Sequence, residues 1–136
     1  MSSEGCKIVN DLPKVNKVWG EEQIIINEEY CGKILVINRR GKCSLHQHLK
    51  KKETFYILSG LIKMEMASRI LIMHPGSQIT IHPGSYHSFT GIEDSQVLEI
   101  STHHRDDDSY RDPKALSTQI TEQHLEEIIN KYGIYK

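Results

Sequence analysis

The stretch Cys43–Gly60, CSLHQHLKKKETFYILSG, sets two histidines, His46 and His48, and a glutamate, Glu53, among residues otherwise suited to a sheet. Side chains alternate faces along a strand, so His46 and His48 point one way and Gln47 the other. HxH on a strand therefore presents two imidazoles side by side. Glu53 stands at the head of the next strand, beyond the polar turn LKKK, where a hairpin is expected to bring it alongside. Farther on, His87 follows the tight turn PGSY and again opens a strand, in YHSFTG. Each of these residues alone has an ordinary reading as hydrogen-bonded structure or as surface. Together, three imidazoles and a carboxylate suit a divalent first-row metal such as Mn, Fe, Co, Ni or Zn, with coordination positions left for water or substrate. A buried Glu53 without a cation would cost several kcal/mol or be forced neutral, and a metal removes that difficulty.

The surroundings read as sheet. From about Glu22 to Ser101 the chain is a succession of short β-branched runs: QIIIN, KILVINR, CSLHQH, TFYILSG, LIKMEM, RILIM, SQITIH, YHSFTG and QVLEIST. Turn residues separate them at Arg40-Gly41, Ser59-Gly60, Pro75-Gly76 and Pro83-Gly84, the pattern of an all-β sandwich or barrel. After STHHRDDDSYRDPK the pattern changes, and Ile120, Leu125, Ile128, Ile129 and Tyr132 recur at near-helical spacing. Thr121 is the expected N-cap and Gly133 the stop, which predicts one amphipathic helix over about 121–132 on the outside of the barrel. The charge run HHRDDDSYRD before it reads as a solvated loop. The expected organisation is an N-terminal extension over 1–18, a barrel over 19–104, and a polar loop with the C-terminal helix over 105–136.

Composition narrows the partners. With 136 residues the chain has the size of one ordinary domain. Its 17 basic and 18 acidic side chains give no electrostatic footprint for nucleic acid. The start, MSSEGCKIVNDLPK, lacks the pattern of a secretory signal, and no run approaches the apolar length that spans a bilayer, so the expectation is a cytoplasmic protein with neither membrane nor nucleic-acid partner. Cys6, Cys31 and Cys43 form no CxxC pair and are expected to be reduced thiols.

In these motifs the sequence resembles the cupins, whose first motif is a glycine, HxH, a glutamate and a glycine, and whose second is a glycine, PxG and a histidine. RGKCSLHQHLKKKETFYILSG carries His46, His48, Glu53 and Gly60 at the family spacing, with Gly41 one residue late; GSQITIHPGSYHSF supplies Gly76, Gly84 and His87. His82 stands where a proline is usual, and Gly91 where an asparagine is frequent. The resemblance covers about residues 19–104. It implies a cupin double-stranded β-helix, a jelly-roll barrel, with one divalent metal inside an open mouth and commonly a homodimer. His74, His82 and His124 are not expected among the ligands.

The scaffold alone leaves the reaction open among isomerases, oxygenases, decarboxylases and binding proteins. NEEYCGK, CSLHQH, KKETF, KMEM, IHPGSYHSF, EIS and DDDSYRDP are similar to cupin-type sugar isomerases, particularly D-lyxose isomerases, and to short cupins described as mannose- or glucose-6-phosphate isomerase-like. Lyxose isomerases have longer insertions where this chain has fifteen residues between Gly60 and Gly76, so substrate identity does not transfer. The resemblance implies aldose–ketose isomerisation of a sugar or sugar phosphate through a metal-stabilised enediolate, with a carboxylate shuttling the proton. Glu99 in QVLEIST is the candidate base, although strand parity alone leaves it open between cavity and solvent. Lys63 and Tyr56 are candidate wall residues. His103 and His104 end the last barrel strand, and His103 is counted with the substrate-binding candidates. Arg105, Asp107, Tyr110 and Arg111 are expected to cover the mouth and meet sugar hydroxyls or a phosphate. The alternatives are a non-haem metal oxygenase of a small molecule, in which Glu99 is dispensable, and a non-catalytic sugar-binding cupin that lacks a base.

Overall fold

A computed structural model describes residues 5–136; residues 1–4 of the expected N-terminal extension lie outside the described residues. In chain order the strands are β1 (Lys14–Lys17), β2 (Gly20–Asn27), β3 (Tyr30–Ile37), β4 (Gly41–Lys42), β5 (His46–Gln47), β6 (Glu53–Ser59) and β7 (Ile62–Met66). They continue with β8 (Ile70–Met73), β9 (Gln78–Ile81), β10 (His87–Gly91), β11 (Ser95–Thr102), β12 (Tyr110–Arg111) and β13 (Thr118–Gln119), and α1 (Glu122–Lys131) closes the chain. They form two antiparallel sheets. One has the order β1-β2-β3-β11-β6-β9; the other runs β12-β5-β10-β4-β13, with β7 pairing β10 and β8 pairing β7.

The period of two is clearest along β11. Ser95, Val97, Glu99 and Ser101 are buried, while Gln96, Ile100 and Thr102 are exposed. The neighbouring strands keep step, because Val97 lies opposite Leu35 and Ile57, and Glu99 opposite Lys33 and Phe55. Between the sheets, Leu35, Ile37, Ile57, Ile62, Met64, Phe89 and Val97 fill the closed end of the barrel. The polar inward residues lie at the other end.

Two turns depend on the absence of a side chain. Gly60 joins β6 to β7 at φ +88°, and a Cβ there would sit 2.2 Å from Ser95 Oγ. At Gly91 a Cβ would come within 2.3 Å of the Asn38 carbonyl oxygen, which accounts for glycine where the cupin motif frequently has asparagine.

Three expectations change. CSLHQH is not one strand: after β4 the Cys43 N–H still bonds the Phe89 carbonyl at 3.1 Å, but the Leu45 N–H turns to the Ala115 carbonyl at 2.9 Å. The chain is drawn toward the 110–119 strap, and β5 begins only at His46. Second, LKKK is not a hairpin, since β5 and β6 belong to opposite sheets and the turn crosses the sandwich. Third, the charge run is not simply solvated. Asp108 is buried in a 3-10 turn, Asp106–Asp108, and β12 pairs with β5 immediately afterwards.

The helix follows its signals. Thr121 Oγ1 accepts from the His124 N–H at 3.0 Å, and Gly133, at φ +63°, ends the last turn. Leu125 and Ile128 bury against Ile92 and Ile120 in a cluster of their own outside the barrel. Among the described residues no helix is long and apolar enough to cross a membrane.

Candidate active site

His46 and His87 face each other in register across β5 and β10. His48 follows two residues after His46, and the ligating nitrogens of these three histidines lie within 4.8 Å of one another. Glu53 reaches the group from the opposite sheet. Its Oε2 is 3.3 Å from His48 Nε2 and 3.2 Å from His87 Nε2.

Each ring is oriented by the backbone. Nδ1–H donates to the Ser44 carbonyl from His46 (2.7 Å), to the Asp108 carbonyl from His48 (2.8 Å) and to the Ser85 carbonyl from His87 (2.9 Å). A neutral ring that donates through Nδ1 keeps a lone pair on Nε2, the form that binds metal. Burial, reinforced by neighbouring His87, pushes His46 down to about 3. Burial and Lys51 likewise lower His48. Burial alone would raise Glu53, but His87 and Lys51 outweigh it and hold this carboxyl below its usual range.

The donor set fits a cation. Glu53 Oε2 and His87 Nε2 are buried and have no hydrogen-bond partner, although they lie only 3.2 Å apart. Two acceptor lone pairs facing each other in a dry pocket are satisfied by a positive centre between them. Three neutral imidazoles and a carboxylate match the preferences of Mn, Fe, Co, Ni or Zn.

The group lies in the wall of a 430 Å³ cavity that also includes Lys33, Lys51, Phe55, Glu99, His104 and Arg111. Glu99 faces the cavity because Leu98 and Ile100 take the outer face of β11; Ile100 is 55% exposed. Lys51, from the polar turn LKKK, is buried with its Nζ 3.2 Å from Glu99 Oε2 and 3.5 Å from Glu53 Oε1. Burial would lower this ammonium, but Glu99 and Glu53 outweigh it and its pKa is raised. Lys51 Nζ also donates to His104 Nδ1 at 3.0 Å, and His104 Nε2–H donates to Asp106 Oδ1 at 3.0 Å. Lys33, opposite Glu99 in β3, pairs with Glu22 at 3.6 Å.

Asp108 fastens the crossing turn. Its carboxylate accepts the N–H groups of Leu49 (2.9 Å), Lys50 (3.2 Å) and Lys51 (3.1 Å). The residue whose carbonyl orients His48 therefore also holds the loop that carries Lys51.

Other sequence-derived candidates lie elsewhere. Lys63 is outside the cavity wall, because Ile62 and Met64 take the inner face of β7 and its ammonium bonds Glu65 at 2.7 Å. Tyr56 is 40% exposed on the outer face of β6. His103 Nδ1–H donates to the Glu28 carbonyl at 2.7 Å on the surface, and its neighbour His104 takes the cavity position. Arg105 is exposed and closes on Asp107 at 2.7 Å, so neither reaches the wall. Tyr110 pairs with outward Gln47 and is 43% exposed, whereas Arg111, opposite His46, lines the cavity. Sequence reasoning missed Lys51, Lys33 and Asp108. Lys51 and Asp108 stood in unremarkable charged runs, whereas Lys33 shares the inward parity of Cys31, Leu35 and Ile37 in an apolar strand.

The family model described as D-lyxose isomerase matches residues 54–132. No curated protein gives a significant match. Among solved structures, KdgF from Halomonas sp. is 17% identical with a TM-score of 0.65, over 74% of this chain and 98% of that one. The Streptomyces nucleoside dehydratase Pac13 is 14% identical with a TM-score of 0.68, over 89% of this chain and 97% of its own. A cupin-2 domain protein from Shewanella frigidimarina is 18% identical with a TM-score of 0.54, covering 66% of this chain and 85% of that one. At these identities the likeness is one of fold, the cupin double-stranded β-helix.

Proposed function

Since the chain belongs to the D-lyxose isomerase family of cupins, whose model it matches over more than half its length, we propose that it is a metal-dependent isomerase interconverting an aldose and a ketose. The observation that carries this reading is the buried Glu99 carboxylate, paired with Lys51 at 3.2 Å, in the cavity that also holds the three histidines and Glu53.

His46, His48, Glu53 and His87 would hold one divalent transition metal. Such an ion supplies Lewis-acid polarisation of the adjacent carbonyl and hydroxyl oxygens of an open-chain sugar and so acidifies the C–H between them. The remaining work falls to the chain. Glu99 takes the proton from C2 of the aldose, passing through an enediolate, and returns it to C1 while the O2 hydroxyl proton moves to O1, so that the aldehyde becomes a hydroxyl and C2 the ketone; one carboxylate serves both carbons because they are neighbours. The Lys51 ammonium, shared between Glu53 and Glu99, holds the base in place and offers a donor to the oxygen on which charge develops. Phe55 and Phe89 close the apolar side of the cavity and exclude water. Two copies pair through the outer face of the six-stranded sheet, where Tyr56, Leu58 and Ile100 are exposed.

Metal-loaded protein incubated in deuterated water with aldoses, ketoses and their phosphates tests this by NMR. The expected result is formation of the isomer with deuterium at C1 or C2. Neither isomer nor deuterium across the panel would overturn the isomerase reading, and loss of water from a substrate would instead indicate an elimination of the kind its structural relative Pac13 performs.

A further inference from the structure

Most charged groups of the cavity wall are paired. Glu22 is paired with Lys33, Glu53 and Glu99 share Lys51, and Asp106 is bonded by His104. Among the described residues, two further cations of the wall, Lys17 and Arg111, have no carboxylate within ion-pair distance and no side-chain hydrogen bond.

A chain of backbone and side-chain contacts links them. Arg111 lies in register with His46. The N–H of Ser44, two residues before His46, donates to Ser117 Oγ at 2.9 Å. Two residues beyond Ser117, Gln119 Nε2 donates to the carbonyl of Val18, the neighbour of Lys17, at 3.4 Å. Ser44, Ser117 and Ser109 all line the cavity, and Ser117, which accepts that N–H, keeps its own hydroxyl proton to donate.

From this we propose that Lys17, Arg111 and the Ser44–Ser117 pair form an anion subsite on the wall beside the His46 strand, so that the sugar acted on carries a phosphate or a carboxylate. The assignment rests on the carbohydrate reading above and deepens it. A guanidinium, an ammonium and serine hydroxyls on one wall suit an oxyanion, and a neutral sugar would leave both cations uncompensated. A cavity of 430 Å³ is large enough for a sugar with such a group in extended form.

The test is binding, independent of turnover. Metal-loaded protein is titrated calorimetrically with D-arabinitol, D-arabinitol 5-phosphate and the matching aldonate, none of which can isomerise. At least one anionic form is expected to bind at least about tenfold more tightly than the neutral polyol, and comparing the two anions identifies which group the subsite takes. In Arg111→Gln and in Lys17→Gln that ratio should fall toward one, with melting temperatures close to the parent. In the unaltered protein the anion's advantage should shrink steeply from 50 to 500 mM salt.

Equal affinity for neutral and anionic ligands would overturn the subsite and leave the isomerase reading standing, whereas isomer formation confined to neutral sugars would do the same from the catalytic side. An advantage for the anion that survives both substitutions would place the subsite elsewhere and also refute the assignment. Failure of all three ligands to bind refutes the subsite together with the carbohydrate reading.

Discussion

Asp108→Asn tests how the tertiary structure builds the site, because the change is isosteric and the side chain meets only backbone. In the folded chain both carboxylate oxygens are used: Oδ1 accepts from Leu49 and Lys50, and Oδ2 from Lys50 and Lys51. An asparagine can keep one oxygen on Leu49 and Lys50, but its amide then sets a donor against the Lys51 N–H. Both contacts to Oδ2 are lost, the Lys51 N–H and the new amide N–H groups are left unmet, and the remaining bonds become neutral. Together these cost about 2–3 kcal/mol. For a chain of this size that corresponds to a fall in Tm of roughly 5–10 °C.

The pH dependence has a definite sign. Burial pushes the Asp108 carboxyl up, but the N–H groups of Leu49, Lys51 and Lys50 outweigh it and hold the folded pKa below the unfolded value. The stabilisation is therefore complete above the unfolded pKa of about 4 and is lost as pH falls through the folded pKa. Urea unfolding followed by far-UV circular dichroism should show the full difference between parent and variant at pH 7 and a shrinking one below pH 4. Because the same residue's carbonyl orients His48, metal affinity should also drop about tenfold. A variant as stable as the parent at pH 7, or a difference constant down to pH 3, would refute the claim that this carboxylate pins the turn.

His48→Ala and His87→Ala should each remove most bound metal, measured by elemental analysis after dialysis, while His74→Ala and His124→Ala keep it. Glu99→Gln should retain the metal and lower kcat by about 10²–10⁴; full activity would move the base elsewhere. In Lys51→Met, Glu53 and Glu99 face the cavity without their ammonium, so the metal-free protein should lose about 3–5 kcal/mol of stability to urea. The proposed pairing of two copies through the exposed face of the six-stranded sheet predicts a dimer for the parent and a monomer for Ile100→Glu in light scattering, with unchanged circular dichroism; a monomeric parent would refute it.

The sequence by itself determined the strand-rich barrel, the capped C-terminal helix and the pairing of His46 with His48, since each rests on a local rule; Glu53 and His87 were joined to them by the likeness to the cupin motifs, and Glu53 arrives from the opposite sheet rather than across a hairpin. Alternation puts His46 and His48 on one face; Thr121 and Gly133 bound the helix through their own side chain or lack of one. What required the tertiary structure was the direction of the polar residues in between. Lys51 and Lys63 are both lysines beside strands, yet one is drawn inward by two carboxylates arriving from β6 and β11 and the other bonds Glu65 outside the barrel. Glu99 is inward because β3 and β6 align their buried rows with it. Asp108 is buried because the LKKK turn crosses between sheets and exposes three N–H groups to it. A charged side chain can lie inside only where partners distant in sequence compensate its desolvation, and that compensation exists only once the sheets have packed.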